Sequence, residues 1–209
     1  YRFSVSNIMD TMKTIDASFA EPEQPERSPV LSSSAMGILI FIVTELMFFA
    51  SLISAYLIIS AVAEAWPPEG QPRLPVLASA LNSLVLFASG FVLFRGYRSF
   101  ISEGHSERSI KLVRLCLWLG TVFVAVQGFE WVRLLSYGLT MTSSQYGAFF
   151  YLIIGTHAIH AIGALIGIWC LLSKLRSGVL KQSSFQAVLF FWYFVVGIWP
   201  VLYVLVYLS

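Results

Sequence analysis

Five long apolar stretches separated by clusters of charge decide what this chain can fold into. The first is the sharpest. From Ser32 to Ala63 the sequence reads SSSAMGILIFIVTELMFFASLISAYLIISAVA, and Glu45 is its one charged residue. A run of about 18 or more apolar residues reads as a helix that spans a bilayer. A charge near the middle of such a helix costs about 2.5–3.5 kcal/mol on insertion scales. Glu45 therefore needs a partner, a proton or a wet cavity, which makes it a functional candidate on physical grounds alone.

The other stretches predict four more spans, at Leu74–Phe94, Leu115–Val132, Gln145–Leu172 and Ser184–Leu208. Between the third and fourth, SYGLTMTSSQYG reads as a loop and a helix start. The expected fold is all-α: a polytopic bundle of five transmembrane helices over residues 32–209, preceded by a polar tail over residues 1–31. Only 11% of the residues are charged, against about 25% in soluble domains. The tail, with Asp10, Asp16, Glu21, Glu23 and Glu26, precedes the first apolar run, so no secretory signal is expected. A net charge of +2 gives no basis for binding nucleic acid. Cys116 and Cys170 both fall in apolar runs and form no C-x-x-C pair, so they read as small buried hydrophobes.

All but two of the 13 Lys and Arg residues fall on one side of this topology: the tail, the loop between spans two and three, and the loop between spans four and five. Only Arg73 and Arg133 fall on the other. The positive-inside rule then predicts a cytoplasmic N-terminus and an external C-terminus. Trp66, Trp131 and Tyr137 would lie at the outer interface, as an aromatic belt does. No internal repeat of fixed period is visible, which argues against a transporter built from repeats.

Other polar residues lie within the spans. His157 and His160, in GTHAIHAIGALIG, are three apart and share a broad helix face. Gly163 and Gly167 continue it as a small-xxx-small pattern, which favours close helix packing. Two histidines have the chemistry to ligate a metal or haem. A bis-histidine haem, however, draws its ligands from opposite sides, and the other four spans hold no His. Interhelical hydrogen bonding by neutral imidazoles is the stronger reading. Gln127 and Glu130 are also three apart, and Glu130 beside Trp131 and Arg133 reads as an interfacial anchor. Asn82 and Ser89 share a face of span two and read as interhelical glue. Trp192 and Trp199, two turns apart in span five, are expected to pack on a neighbouring helix. Two readings of Glu45 stand side by side: a protonated carboxyl hydrogen-bonded to a neighbour, or a proton-exchanging group.

Taken in order, GILIFIVTELMFF, PVLASALNSLVLFASG, VQGFEW and YGAFFYLIIGTHAIHAIGALIG, followed by an aromatic closing helix, resemble subunit III of the haem-copper oxidases. The likeness runs from about Ser33 to Leu208. Two features depart from the family pattern. The family closes with Trp-His-Phe-Val-Asp, where this chain has Trp192-Tyr193-Phe194-Val195-Val196, so Tyr193 replaces the His and Val196 the Asp. The longer family form has seven helices, and five are visible here. The missing pair would form one wall of the family's lipid-holding cleft, so a partner is expected to supply it.

The resemblance implies an accessory subunit of a cytochrome c oxidase in a bacterial inner membrane. It would carry no haem or copper, both of which belong to partner catalytic subunits. It would pack against oxidase subunits I and II, within a larger respiratory supercomplex in some settings. It would hold structural phospholipid and support proton uptake during oxygen reduction. The residues that the proton-linked reading singles out are Glu45, His157, His160, Glu130 and Gln127. Other readings are an accessory chain of a quinol oxidase or nitric oxide reductase, an independent proton-coupled transporter using Glu45, and a redox protein ligating a metal through His157 and His160.

Overall fold

A computed structural model describes residues 33–64, 66, 68 and 76–208. The tail expected over residues 1–31 lies outside the described residues, as does Arg73. Five helices make up nearly all of the rest: α1 (Ser33–Val62), α2 (Val76–Glu103), α3 (Glu107–Ser136), α4 (Gln145–Arg176) and α5 (Gln182–Tyr207). Each is long and apolar enough to cross a membrane, and no strand is present among the described residues.

α2 and α3 run on past the apolar stretches that announce them. The second span was expected to end at Phe94, yet α2 continues to Glu103. The third was expected over Leu115–Val132, yet α3 runs from Glu107 to Ser136. The physical reason is that charge ends the hydrocarbon-facing segment without ending the helix. Arg95, Arg98, Arg108, Lys111 and Arg114 are good helix formers, and their long stems let the charged heads reach polar surroundings.

Turn chemistry sets the true ends. Gly104 takes a φ of 66° between α2 and α3, and Ser106 then caps α3 by accepting from the Ser109 amide. The third loop turns at Gly138, with a φ of 90°, and Ser144 caps α4 by accepting from the Gly147 amide at 3.0 Å. Only glycine enters this left-handed region freely. Short connections of this kind make α2, α3, α4 and α5 antiparallel to their chain neighbours.

These four helices close into a ring. α2 packs on α3 and α5, and α4 packs on α3 and α5. α1 stands outside the ring, against α5 and more lightly α4, without touching α2 or α3. Its buried large side chains are Phe49 and Tyr56, while Ile40, Val43, Met47 and Ile58 point outward. In water that face would be a liability; in lipid it matches the solvent. Pro200 lies inside α5. Having no N–H, it leaves the Val196 carbonyl one turn earlier without its usual helical donor.

Candidate functional site

Glu45 meets its partner across the boundary between α1 and the ring. Its Oε2 lies 2.9 Å from His160 Nε2 on α4. The other imidazole nitrogen, Nδ1, lies 2.8 Å from the Thr156 carbonyl one turn earlier. A carbonyl only accepts, so Nδ1 carries a hydrogen. One further hydrogen then sits between Nε2 and the carboxyl. Either a protonated Glu45 donates to a neutral imidazole, or an imidazolium donates to a carboxylate. Both forms are neutral overall, which is how an ionisable residue inside a membrane helix avoids standing as a bare charge.

The local sequence explains the placement. Ile42, Glu45 and Phe49 lie on the inward face of α1 at helical spacing. Aromatic rings surround the pair: Phe49, Phe194 and Phe191 have centroids 5.4, 6.0 and 6.3 Å from the imidazole of His160. An apolar cage of this kind strengthens the hydrogen bond and raises the cost of leaving either partner alone.

His157 goes elsewhere. Three residues of helix rotate a side chain to a position about 60° from the start, enough to send His160 toward α1 and His157 into the ring. His157 is 2% exposed. It lies against Trp199 of α5, centroids 5.2 Å apart, and neither ring nitrogen has a protein hydrogen-bond partner. It borders a cavity of about 140 Å³ between α3 and α4. The Trp131 indole N–H, which also faces this region, is likewise unpartnered.

A second set of polar residues ties the ring together. Asn82 Nδ2 donates to the Phe123 carbonyl at 3.0 Å and lies 3.3 Å from Gln127 Oε1. Gln127 Nε2 reaches the Tyr207 hydroxyl at 3.4 Å. The indoles of Trp192 and Trp199 donate to Ser89 Oγ and Ser83 Oγ, at 3.2 and 2.7 Å. Glu130 is 8% exposed and pairs with Arg133 at 3.4 Å, one turn along α3. Ser83 and Tyr207 had no mark in the sequence. The available signal was a small hydroxyl in an apolar helix, which carries no information until the facing indole is known.

The close helix approaches lie away from the predicted glycines. A Cβ on Gly163 would meet nothing within 4 Å, and one on Gly167 would reach Val188 only at 3.8 Å. At Gly120 it would stand 2.7 Å from Leu165 and 2.8 Å from Trp192. The reason is rotational: Gly163 lies on the outward side of α4, whereas Gly120 faces the ring interior where Trp192 fills the space. The two divergent positions of α5 both face Gly90 of α2. The Tyr193 hydroxyl donates to the Gly90 carbonyl at 3.4 Å, and Val196 contributes only apolar contact.

The sequence model of cytochrome c oxidase subunit III matches residues 23–209. The chain belongs to the cytochrome c oxidase subunit III family. Cytochrome c oxidase subunit 3 of Synechocystis sp. is 33% identical over 176 residues, covering 82% of this chain and 74% of that protein. The probable cytochrome c oxidase subunit 3 of Nocardia farcinica is 35% identical over 180 residues, covering 83% and 86%. The subunit of Pelomedusa subrufa is 32% identical, covering 82% and 67%. Subunit III membership makes the chain an accessory subunit of a cytochrome c oxidase, a multi-pass membrane protein whose partners are other oxidase subunits.

Proposed function

We propose that this subunit holds the catalytic core of the oxidase in working order without carrying a redox centre. Haem and copper reside on subunits I and II, against which this chain packs in a bacterial inner membrane, with its N-terminus cytoplasmic. The geometry of His160 supports this. Thr156 and Glu45 occupy both of its ring nitrogens, so a metal would have to displace one of these bonds. The two histidines also turn to different neighbours rather than converging on one point.

The observation that carries the proton-linked part is the Glu45–His160 pair. One mobile proton is held inside an aromatic cage between two elements that barely touch otherwise. The pair stores or relays that proton as the oxidase takes up protons, and it pins α1 to the ring. The lightly packed α1 also presents a long apolar face, which suits contact with phospholipid chains and with a neighbouring subunit. Glu45→Gln tests the proton role, because an amide keeps the shape and a hydrogen bond while removing the exchangeable acid. The reconstituted Glu45→Gln complex is expected to assemble normally, take up protons more slowly and have a shorter catalytic lifetime. Wild-type proton uptake and lifetime in Glu45→Gln would remove the role.

A further inference from the structure

Arg95 and Arg98 end the apolar part of α2, and with Arg108 of α3 they line a cleft of about 430 Å³ that also includes Phe94, Ser102 and Glu103. The cleft lies between α2 and α3, away from α1, which touches neither helix. Arg108 is partly neutralised by Glu103 at 3.6 Å. Among the described residues, neither Arg95 nor Arg98 pairs with a carboxylate. Arg95 instead stands over the Phe91 ring, 5.9 Å from its centroid. Leu84, Phe87, Phe91 and Phe94 are all exposed and lie on the same helix, just on the membrane side of the arginines.

We propose that this cleft binds the headgroup of one anionic phospholipid. Guanidinium groups present planar forks of donors that match phosphate oxygens. The surplus of positive charge favours a headgroup with no cation of its own, because a choline would sit against like charge. The exposed apolar residues below give the acyl chains a surface continuous with the headgroup site, a feature that a free phosphate site has no use for. This deepens the lipid-holding part of the proposed function and rests on it, and it assigns that role to a cleft on the opposite flank from α1.

The test uses the purified oxidase complex, depleted of lipid and titrated with spin-labelled phosphatidylglycerol or phosphatidylcholine. The proposal expects one tight phosphatidylglycerol per copy of this subunit, with phosphatidylcholine weaker by tenfold or more. Arg95→Gln/Arg98→Gln is expected to weaken phosphatidylglycerol about tenfold or more while leaving the haem content unchanged. Equal binding of the two lipids by the wild-type complex overturns the proposal, and that measurement needs no variant to assemble. Unchanged phosphatidylglycerol binding in the assembled double variant overturns it as well. Displacement of the labelled lipid by millimolar inorganic phosphate assigns the cleft to free anions instead. Loss of the catalytic subunit from the double variant, with its lipid retained, assigns the arginines to a protein contact. Failure of the underlying reading looks different: the wild-type chain would then purify without haem.

Discussion

Glu45 Oε2 lies 2.9 Å from His160 Nε2 across the seam between α1 and the four-helix ring. The Thr156 carbonyl holds the imidazole from its other side, which opposes rotation of the ring away from a lost partner. Removing the carboxyl should therefore carry the cost of an unsatisfied buried polar group. Glu45→Leu leaves Nε2 unpaired in an aromatic cage and is expected to destabilise the attachment of α1 by about 1–3 kcal/mol. Glu45→Gln, whose amide still donates to Nε2, should stay within about 1 kcal/mol of wild type. Thermal unfolding of the complex, followed by protease cleavage between α1 and α2, separates the two.

The indole of Trp199 donates to Ser83 at 2.7 Å and also covers His157. A double-mutant cycle with Ser83→Ala and Trp199→Phe isolates the hydrogen bond from the packing. Interhelical bonds of this kind average about 0.6 kcal/mol and reach about 1.7 kcal/mol. A coupling in that range is expected from denaturation of the purified complex. A coupling of zero would mean that the indole contributes by packing alone.

Gly120 lies on the ring's inner face, where a Cβ would have no room. Gly120→Ala should force Leu165 and Trp192 out of their positions, costing about 1–3 kcal/mol, as overpacking does. Gly163→Ala, with nothing within 4 Å, should be neutral or slightly stabilising, since alanine is the better helix former. Paired melting curves of the two variants test the contrast.

The contrast also shows what a sequence can and cannot reveal. The number of spans, the loop before Gln145 and the intramembrane position of Glu45 were legible, because hydrophobic length and charge are local properties. Asn82, Ser89, Trp192 and Trp199 were recognisable as polar or aromatic residues seeking a neighbour, and each has one on a facing helix. Which neighbour was not legible. Ser83, Tyr207 and Gly120 owe their roles to the rotation of one helix against another, and every helix here is apolar around most of its circumference. That uniformity also explains why His157 and His160 read as one pair, although their neighbours differ entirely. The ends of α2 and α3 at the charged loop between them were hidden for a related reason: the membrane boundary is written in charge, and the helix boundary in caps.

Ser144 is a cap of the same kind. It satisfies the Gly147 amide at the start of α4, directly after the loop closed by the Thr140 and Ser143 contacts. Ser144→Ala should cost about 1 kcal/mol. Because the cap lies far from Glu45 in sequence, turnover per assembled complex should be unchanged. Combined calorimetry and oxygen-consumption measurements check both parts.

This chain works as a subunit of a cytochrome c oxidase. The most direct measurement is purification from the native membrane through a tag on this chain, with an optical spectrum and the identities of the copurifying chains. Haem and copper are expected in fixed proportion to the tagged chain, together with a large multi-span catalytic subunit. A colourless chain that purifies alone and folded would contradict it.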